Sequence, residues 1–125
     1  MGENVKVLIA EDSSVIQNLT RKILQMQNYN ISAVKNGKQV LDFLDKNDCD
    51  VILMDINMPV MDGMDCTKSI RALKNQEKAN TPIIAITGNA KNYSEEDFKN
   101  IGINAYLQKP LNFDQLVEIV KKYTS

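Results

Sequence analysis

Five short apolar runs recur along this chain, and each pair of neighbours is separated by a stretch of helical periodicity. The runs are Val5–Ala10, Ile31–Val34, Val51–Met54, Ile83–Ile86 and Ala105–Gln108. Runs of this length bounded by turn formers read as strands, and the third is apolar enough to be buried on both faces. A strand followed by a helix and then another strand asks for parallel pairing, with the helices covering both faces of the sheet. The pattern therefore predicts an α/β fold, an open, doubly wound parallel sheet of five strands with five helices. The second run is short and reads as an edge.

The helical stretches carry their own start signals. Ser14 with Gln17 has capping-box spacing before Ile16, Leu19 and Ile23. Asn36 and Gln39 open a second helix bearing Val40, Leu41 and Leu44, and Asp62-Gly63 precede a third that buries Cys66, Ile70 and Leu73. Thr81-Pro82 leads into the fourth strand, where a missing donor is tolerated. Ser94 with Asp97 opens a fourth helix whose apolar face is little more than Phe98 and Ile101. Asn112 and Gln115 open the last, with Phe113, Leu116, Val117 and Val120 at i, i+3, i+4 and i+7. No linker or repeat interrupts the series, so residues 1–125 read as one domain.

Sheets of this kind bind ligands outside the C-terminal ends of their strands, near the point where strand order reverses. At those ends stand Glu11-Asp12 after the first strand, Asp55 closing the third, Thr87 closing the fourth and Lys109 just past the fifth. Each has an ordinary explanation alone: acids suit a helix start, Asp and Asn form turns, Thr favours strands and lysines lie on surfaces. Asp62 and Asp65 fit that ordinary reading at the start of the third helix. Met54, Met58, Met61 and Met64 read as packing residues. Four strand ends carrying chemistry at one edge argue for a site.

Composition narrows the chemistry. There is no histidine, which removes His-based zinc sites, Ser-His and Cys-His nucleophile pairs, and a phosphohistidine formed within the chain. The net charge of -1 gives no basic surface for nucleic acid. No apolar run is long enough to span a bilayer, and the N-terminus has no signal-peptide pattern. Gly2 is followed at position six by Lys6 rather than the Ser or Thr of a myristoylation motif. Cys49 and Cys66 lack CxxC spacing and read as reduced packing thiols. The expected location is cytoplasmic.

Carboxylates from separate strands repel one another, and a hard, oxygen-preferring cation relieves the repulsion. Mg²⁺ is the natural candidate, with Mn²⁺ as a substitute, because it takes one or two carboxylates and keeps waters that bridge to phosphate oxygens. The backbone carbonyl of Asn57 could add a ligand. Asp55 could then attack phosphorus and become an aspartyl phosphate, with Lys109 supplying a fixed positive charge and Thr87 a hydroxyl donor. Gly88 leaves its N–H accessible beside Thr87.

Glu11-Asp12, Met54-Asp55, Met58-Pro59-Val60-Met61-Asp62-Gly63, Thr87 and Lys109-Pro110 together resemble the receiver domain of two-component response regulators, over essentially the whole chain. The resemblance implies a flavodoxin-like sheet with strand order 2-1-3-4-5. It implies that Asp55 accepts phosphate from a phosphohistidine on a histidine kinase or histidine phosphotransfer protein. It further implies Mg²⁺ on Asp12, Asp55 and the Asn57 carbonyl, with Glu11 acting through water. Lys109 and Thr87 would contact the phosphoryl group, and Thr87 with Tyr106 would form the switch. A cis bond is implied before Pro110. The output surface, for a downstream protein or domain, would be the face of the fourth helix, fifth strand and fifth helix. Gly88 stands where the family more often has Ala or Ser, and Asn57 and Asn89 flank the phosphoryl position. The wording Ile56–Met61 and Ile83–Thr87 is also similar to receivers of hybrid sensor histidine kinases.

Three other readings compete for the same residues. An acid-nucleophile phosphatase wants a second Asp two residues past the first, where this chain has Asn57. A flavin-binding fold needs a phosphate-cradling first loop, which Glu11-Asp12 would oppose. A receiver-like interaction module that is never phosphorylated would not require the complete acid and lysine set. The signalling phospho-acceptor, rather than a turnover enzyme, is the expectation.

Overall fold

A computed structural model describes residues 5–88 and 93–125. The chain runs β1 (Lys6–Ala10), α1 (Ser14–Gln25), β2 (Asn30–Val34), α2 (Gly37–Lys46), β3 (Val51–Asp55), α3 (Gly63–Arg71), α4 (Gln76–Ala79), β4 (Ile83–Thr87), α5 (Glu95–Ile101), β5 (Ala105–Gln108) and α6 (Phe113–Thr124). The five strands are parallel in the order β2-β1-β3-β4-β5. Strand order reverses between β1 and β3, and the weak second strand lies at an edge.

The period-2 alternation of the inner strands sorts the core into two layers. Leu8, Ala10, Ile52, Met54, Ile83 and Ala85 face Val40 and Leu44 of α2, Cys66 and Ile70 of α3, and Phe98 of α5. Val7, Ile9, Val51, Leu53, Ile84 and Ile86 face Leu24 of α1 and Leu116 and Val120 of α6. Both faces are therefore dry, which is why β3 and β4 are buried at every position.

Among the described residues six helices form where five were expected. The extra one, α4, is a single turn capped by Asn75, whose side chain accepts from the Lys78 N–H. It is too short to show a period. The first helix also begins differently: Ser13, not Ser14, caps it by accepting from the Ile16 N–H, and Gln17 is not its capping partner. The third helix ends at Arg71, so Leu73 packs against the core from beyond it. Asn36, Asp62, Ser94 and Asn112 cap their helices as read, and Ser94 with Asp97 makes a reciprocal box. In α5 only Phe98 is buried.

Candidate functional site

β3 delivers Asp55 to the C-terminal edge of the sheet with its side chain 3% exposed. Both carboxyl oxygens are engaged. Oδ1 accepts from the backbone N–H of Asn57 at 3.1 Å, and Oδ2 accepts from Lys109 Nζ at 3.1 Å. The carbonyl end of β3 also sits directly against the start of α3. A Cβ at Gly63 would meet the Asp55 carbonyl oxygen at 2.5 Å and the Ile56 Cα at 2.9 Å, so only glycine fits there.

Between those elements runs the loop Ile56–Asp62. The Met61 N–H donates to the Pro59 carbonyl at 2.7 Å across Val60, whose φ is 70°. This is a γ-turn with a β-branched residue at its centre, a strained arrangement that also leaves Val60 79% exposed. Met58 and Met64 are buried and Met61 packs against the core, consistent with a packing role.

β1 lies beside β3 with Ala10 opposite Met54, which places Glu11 next to Asp55. Glu11 is the buried member of the acid pair. Its Oε2 accepts from the Ser13 N–H at 3.0 Å, while Oε1 lies 3.6 Å from Lys109 Nζ and has no hydrogen bond among the described residues. Burial pushes the Glu11 carboxyl above its ordinary range, and the neighbouring Asp55 carboxyl pushes the same way. The Ser13 N–H and Lys109 oppose them. Asp12 is exposed and joins no hydrogen bond or ion pair among the described residues. The structure thus brings Glu11, Asp55 and Lys109 together and leaves Asp12 at the rim.

Thr87 is buried at the end of β4. The Lys109 N–H donates to its carbonyl at 2.9 Å, which fixes where the lysine leaves β5. The Lys109–Pro110 bond that follows is cis. Among the described residues, a Cβ at Gly88 would meet Lys109 Cδ at 3.6 Å, an ordinary contact. Asn57 is exposed, and Asn89 lies outside the described residues. Tyr106 is half-buried on β5. Its ring lies 5.4 Å from that of Phe98, and its hydroxyl donates to Glu95 Oε1 at 2.7 Å. Glu95 was not singled out in the sequence, because it stands in an acidic first turn with Glu96 and Asp97.

Among the described residues, no three acidic or thiol side chains gather closely enough to hold a metal by themselves. The set at the β1 and β3 ends nevertheless fits Mg²⁺, which takes one or two carboxylates and completes its shell with water. The buried Oε1 of Glu11, which has the Lys109 ammonium nearby but no hydrogen bond, is the observation that favours a cation here. Cys49 and Cys66 lie elsewhere, and burial pushes both thiols up to about 12, which keeps them protonated and unreactive.

The family model described as the response regulator receiver domain matches residues 7–121. Hybrid signal transduction histidine kinase I of Dictyostelium discoideum is 39% identical over 120 aligned positions, in a match that covers 92% of this chain and 7% of that protein. The chain therefore spans a small part of that relative. The polar-differentiation response regulator DivK of Brucella anthropi is 32% identical over 117 residues and matches over 94% of both chains. Among solved structures, the receiver domain of sensor histidine kinase PA1611 from Pseudomonas aeruginosa PAO1 superposes with a TM-score of 0.86 at 32% identity. The match covers 96% of this chain and 97% of that one, and the relative has a magnesium ion coordinated in its active site cleft. Chemotaxis response regulator CheY4 of Vibrio cholerae matches with a TM-score of 0.85 at 29% identity, over 95% and 98% of the two chains.

Proposed function

Because this chain belongs to the response regulator receiver domain family of two-component signalling, we propose that Asp55 accepts a phosphoryl group from a phosphohistidine on a histidine kinase or histidine phosphotransfer protein. The observation that carries this is the Asp55 carboxylate itself. It is buried, aimed by the Asn57 N–H, and held by a lysine that also faces a second carboxyl oxygen lacking a hydrogen bond. An Asp55 oxygen attacks phosphorus, the P–O bond forms as the P–N bond breaks, and the electron pair stays on the ring nitrogen, so that a ring protonated on its other nitrogen leaves as neutral imidazole. Lys109 already spans Asp55 and Glu11, so its positive charge lies where the incoming phosphoryl oxygens accumulate charge. The Thr87 hydroxyl is the donor for one of those oxygens.

Mg²⁺ would be held by Asp55, Asp12 and the Asn57 carbonyl, with Glu11 reaching it through water, and would neutralise charge on the phosphoryl oxygens. Mn²⁺ would serve in its place. The exposed side chains of Val15, in the first turn of α1, and Val60 stand at the same sheet edge and give the donor an apolar surface to dock on. The domain would act as a phospho-acceptor rather than a turnover enzyme, because the residue two past Asp55 is Asn57 and cannot serve as a general acid. No helix among the described residues is long and apolar enough to cross a membrane, in keeping with a cytoplasmic site of action. The same chemistry serves a stand-alone regulator and a receiver within a hybrid kinase.

Phosphorylation adds roughly -1.5 to -2 charges, and the output is the face built by α5, β5 and α6. α5 buries one side chain, so it sits at the low-stability end of the fold. Thr87 and Tyr106 form the relay to it, and the partner there is a downstream protein or domain. The test is intact mass after acetyl phosphate and Mg²⁺, for wild type and Asp55→Asn. One added phosphoryl group is expected, lost in the variant and with chelator. An equal gain in Asp55→Asn would refute the assignment.

A further inference from the structure

Gln17 is a polar side chain 8% exposed on the inner face of α1, and nothing in the chemistry above uses it. Its amide nitrogen donates twice, to the Glu11 carbonyl at 3.1 Å and to the Val34 carbonyl at 2.9 Å. Those carbonyls lie where β1 and β2 run out. The Val34 carbonyl also accepts from the Glu11 N–H at 3.0 Å, so the last rung of the β1–β2 ladder is formed there. Beyond it the Glu11 carbonyl is met by Gln17 instead of a strand neighbour.

We propose that Gln17 is a positioning residue of the cation site, holding the Glu11–Asp12 peptide in the orientation that presents the acid pair beside Asp55. This rests on the reading of Asp55 as a Mg²⁺-dependent phospho-acceptor. A trans peptide is planar, so a fixed Glu11 carbonyl fixes the direction of the Asp12 N–H and the place of the Asp12 Cα. Asp12 has no hydrogen bond of its own among the described residues, and its backbone is the part the protein can set in advance. With the amide in place, Glu11 is hydrogen-bonded at its N–H, at its carbonyl and at Oε2, and only Oε1, facing Lys109 at 3.6 Å, has no hydrogen bond. The two N–H donors on one nitrogen can serve both carbonyls, which a methionine of similar length cannot do.

Gln17 could instead serve stability alone, by satisfying two buried carbonyls. Titration of Mg²⁺ alone by calorimetry, paired with thermal melts, separates the two roles. The proteins compared are wild type, Gln17→Met, Gln17→Asn, Thr20→Ala and Asp55→Asn. Thr20 lies on the same buried face of α1 and supplies a control for lost stability without a role at Glu11. Gln17→Met is expected to bind Mg²⁺ about tenfold more weakly, the low end of the effect of outer partners on metal affinity. Thr20→Ala should bind as wild type does despite a lower Tm. Gln17→Asn keeps the amide on a shorter arm and should fall between wild type and Gln17→Met, which keeps the question answerable if Gln17→Met fails to fold. Wild-type affinity in the Gln17 variants, or equal weakening in Thr20→Ala, overturns the proposal. If wild type takes no Mg²⁺ at all, the phospho-acceptor reading falls with it. If wild type binds and Asp55→Asn does not, while the Gln17 variants bind normally, only the role of Gln17 falls.

Discussion

At Glu11 the backbone and one carboxyl oxygen are tied to the protein, while the other oxygen is buried beside Asp55 without a hydrogen bond. The raised carboxyl follows from that position, burial first. An acid whose folded-state pKa lies above its unfolded value favours the fold when protonated. Its contribution is full below the unfolded value and is lost as pH climbs through the folded one. At neutral pH without cation, Glu11 therefore costs stability. Glu11→Gln, which keeps an acceptor for the Ser13 N–H, is expected to raise Tm at about pH 7 and change it little at about pH 4, while weakening Mg²⁺ binding. Melts at the two pH values, with and without Mg²⁺, check this, and a lower Tm at neutral pH without Mg²⁺ would count against it. At this scale the sequence was legible for Asp55 and Lys109, because strand ends announce themselves by the apolar runs before them. Gln17 and Glu95 were not, because both also fit ordinary helix-start patterns and only coordinates show where their side chains go.

Among the elements, α5 is held at its two ends by different means. At its C-terminal end Gly102 takes a φ of 99°, and a Cβ there would meet Arg71 Nε at 2.7 Å. The Arg71 guanidinium donates to the Gly102 carbonyl at 2.9 and 2.6 Å, to the Ala79 and Thr81 carbonyls, and to Asn104 Oδ1. One cation thus closes the carbonyl ends of α4 and α5 from the last turn of α3. Lysine cannot present that fork, so Arg71→Lys is expected to destabilise the fold by about 2–4 kcal/mol in chemical denaturation; a loss below about 0.5 kcal/mol would contradict the clamp. At the other end Glu95 holds the Tyr106 hydroxyl, which keeps the ring against Phe98 and toward the surface. Glu95→Ala should free the ring and enlarge the change in amide exchange over residues 93–108 when a phosphoryl mimic and Mg²⁺ are added. An unchanged response would remove Glu95 from the switch. The strand and helix series was readable from periodicity and caps. The single turn of α4 was not, since four residues cannot display a period, and the Arg71 clamp joins segments that no local pattern relates.

For the whole molecule, strand order decides what the chain can do. Reversal between β1 and β3 opens a crevice at one edge, and the chain sets Glu11, Asp55, Thr87 and Lys109 around it from four strands. Two dry layers hold those strands in register and so place their ends, while the Ser13 and Asn57 N–H groups just beyond them orient the carboxylates. On the proposed reading, this edge makes Asp55 the group that receives phosphate. An acyl phosphate is reduced by borohydride, which would leave homoserine in place of the modified aspartate. Treatment with acetyl phosphate and Mg²⁺, borohydride reduction and peptide sequencing by mass spectrometry are expected to place homoserine at position 55 and not at position 12. Homoserine elsewhere with Asp55 intact, or none in protein shown to carry phosphate, would contradict the account.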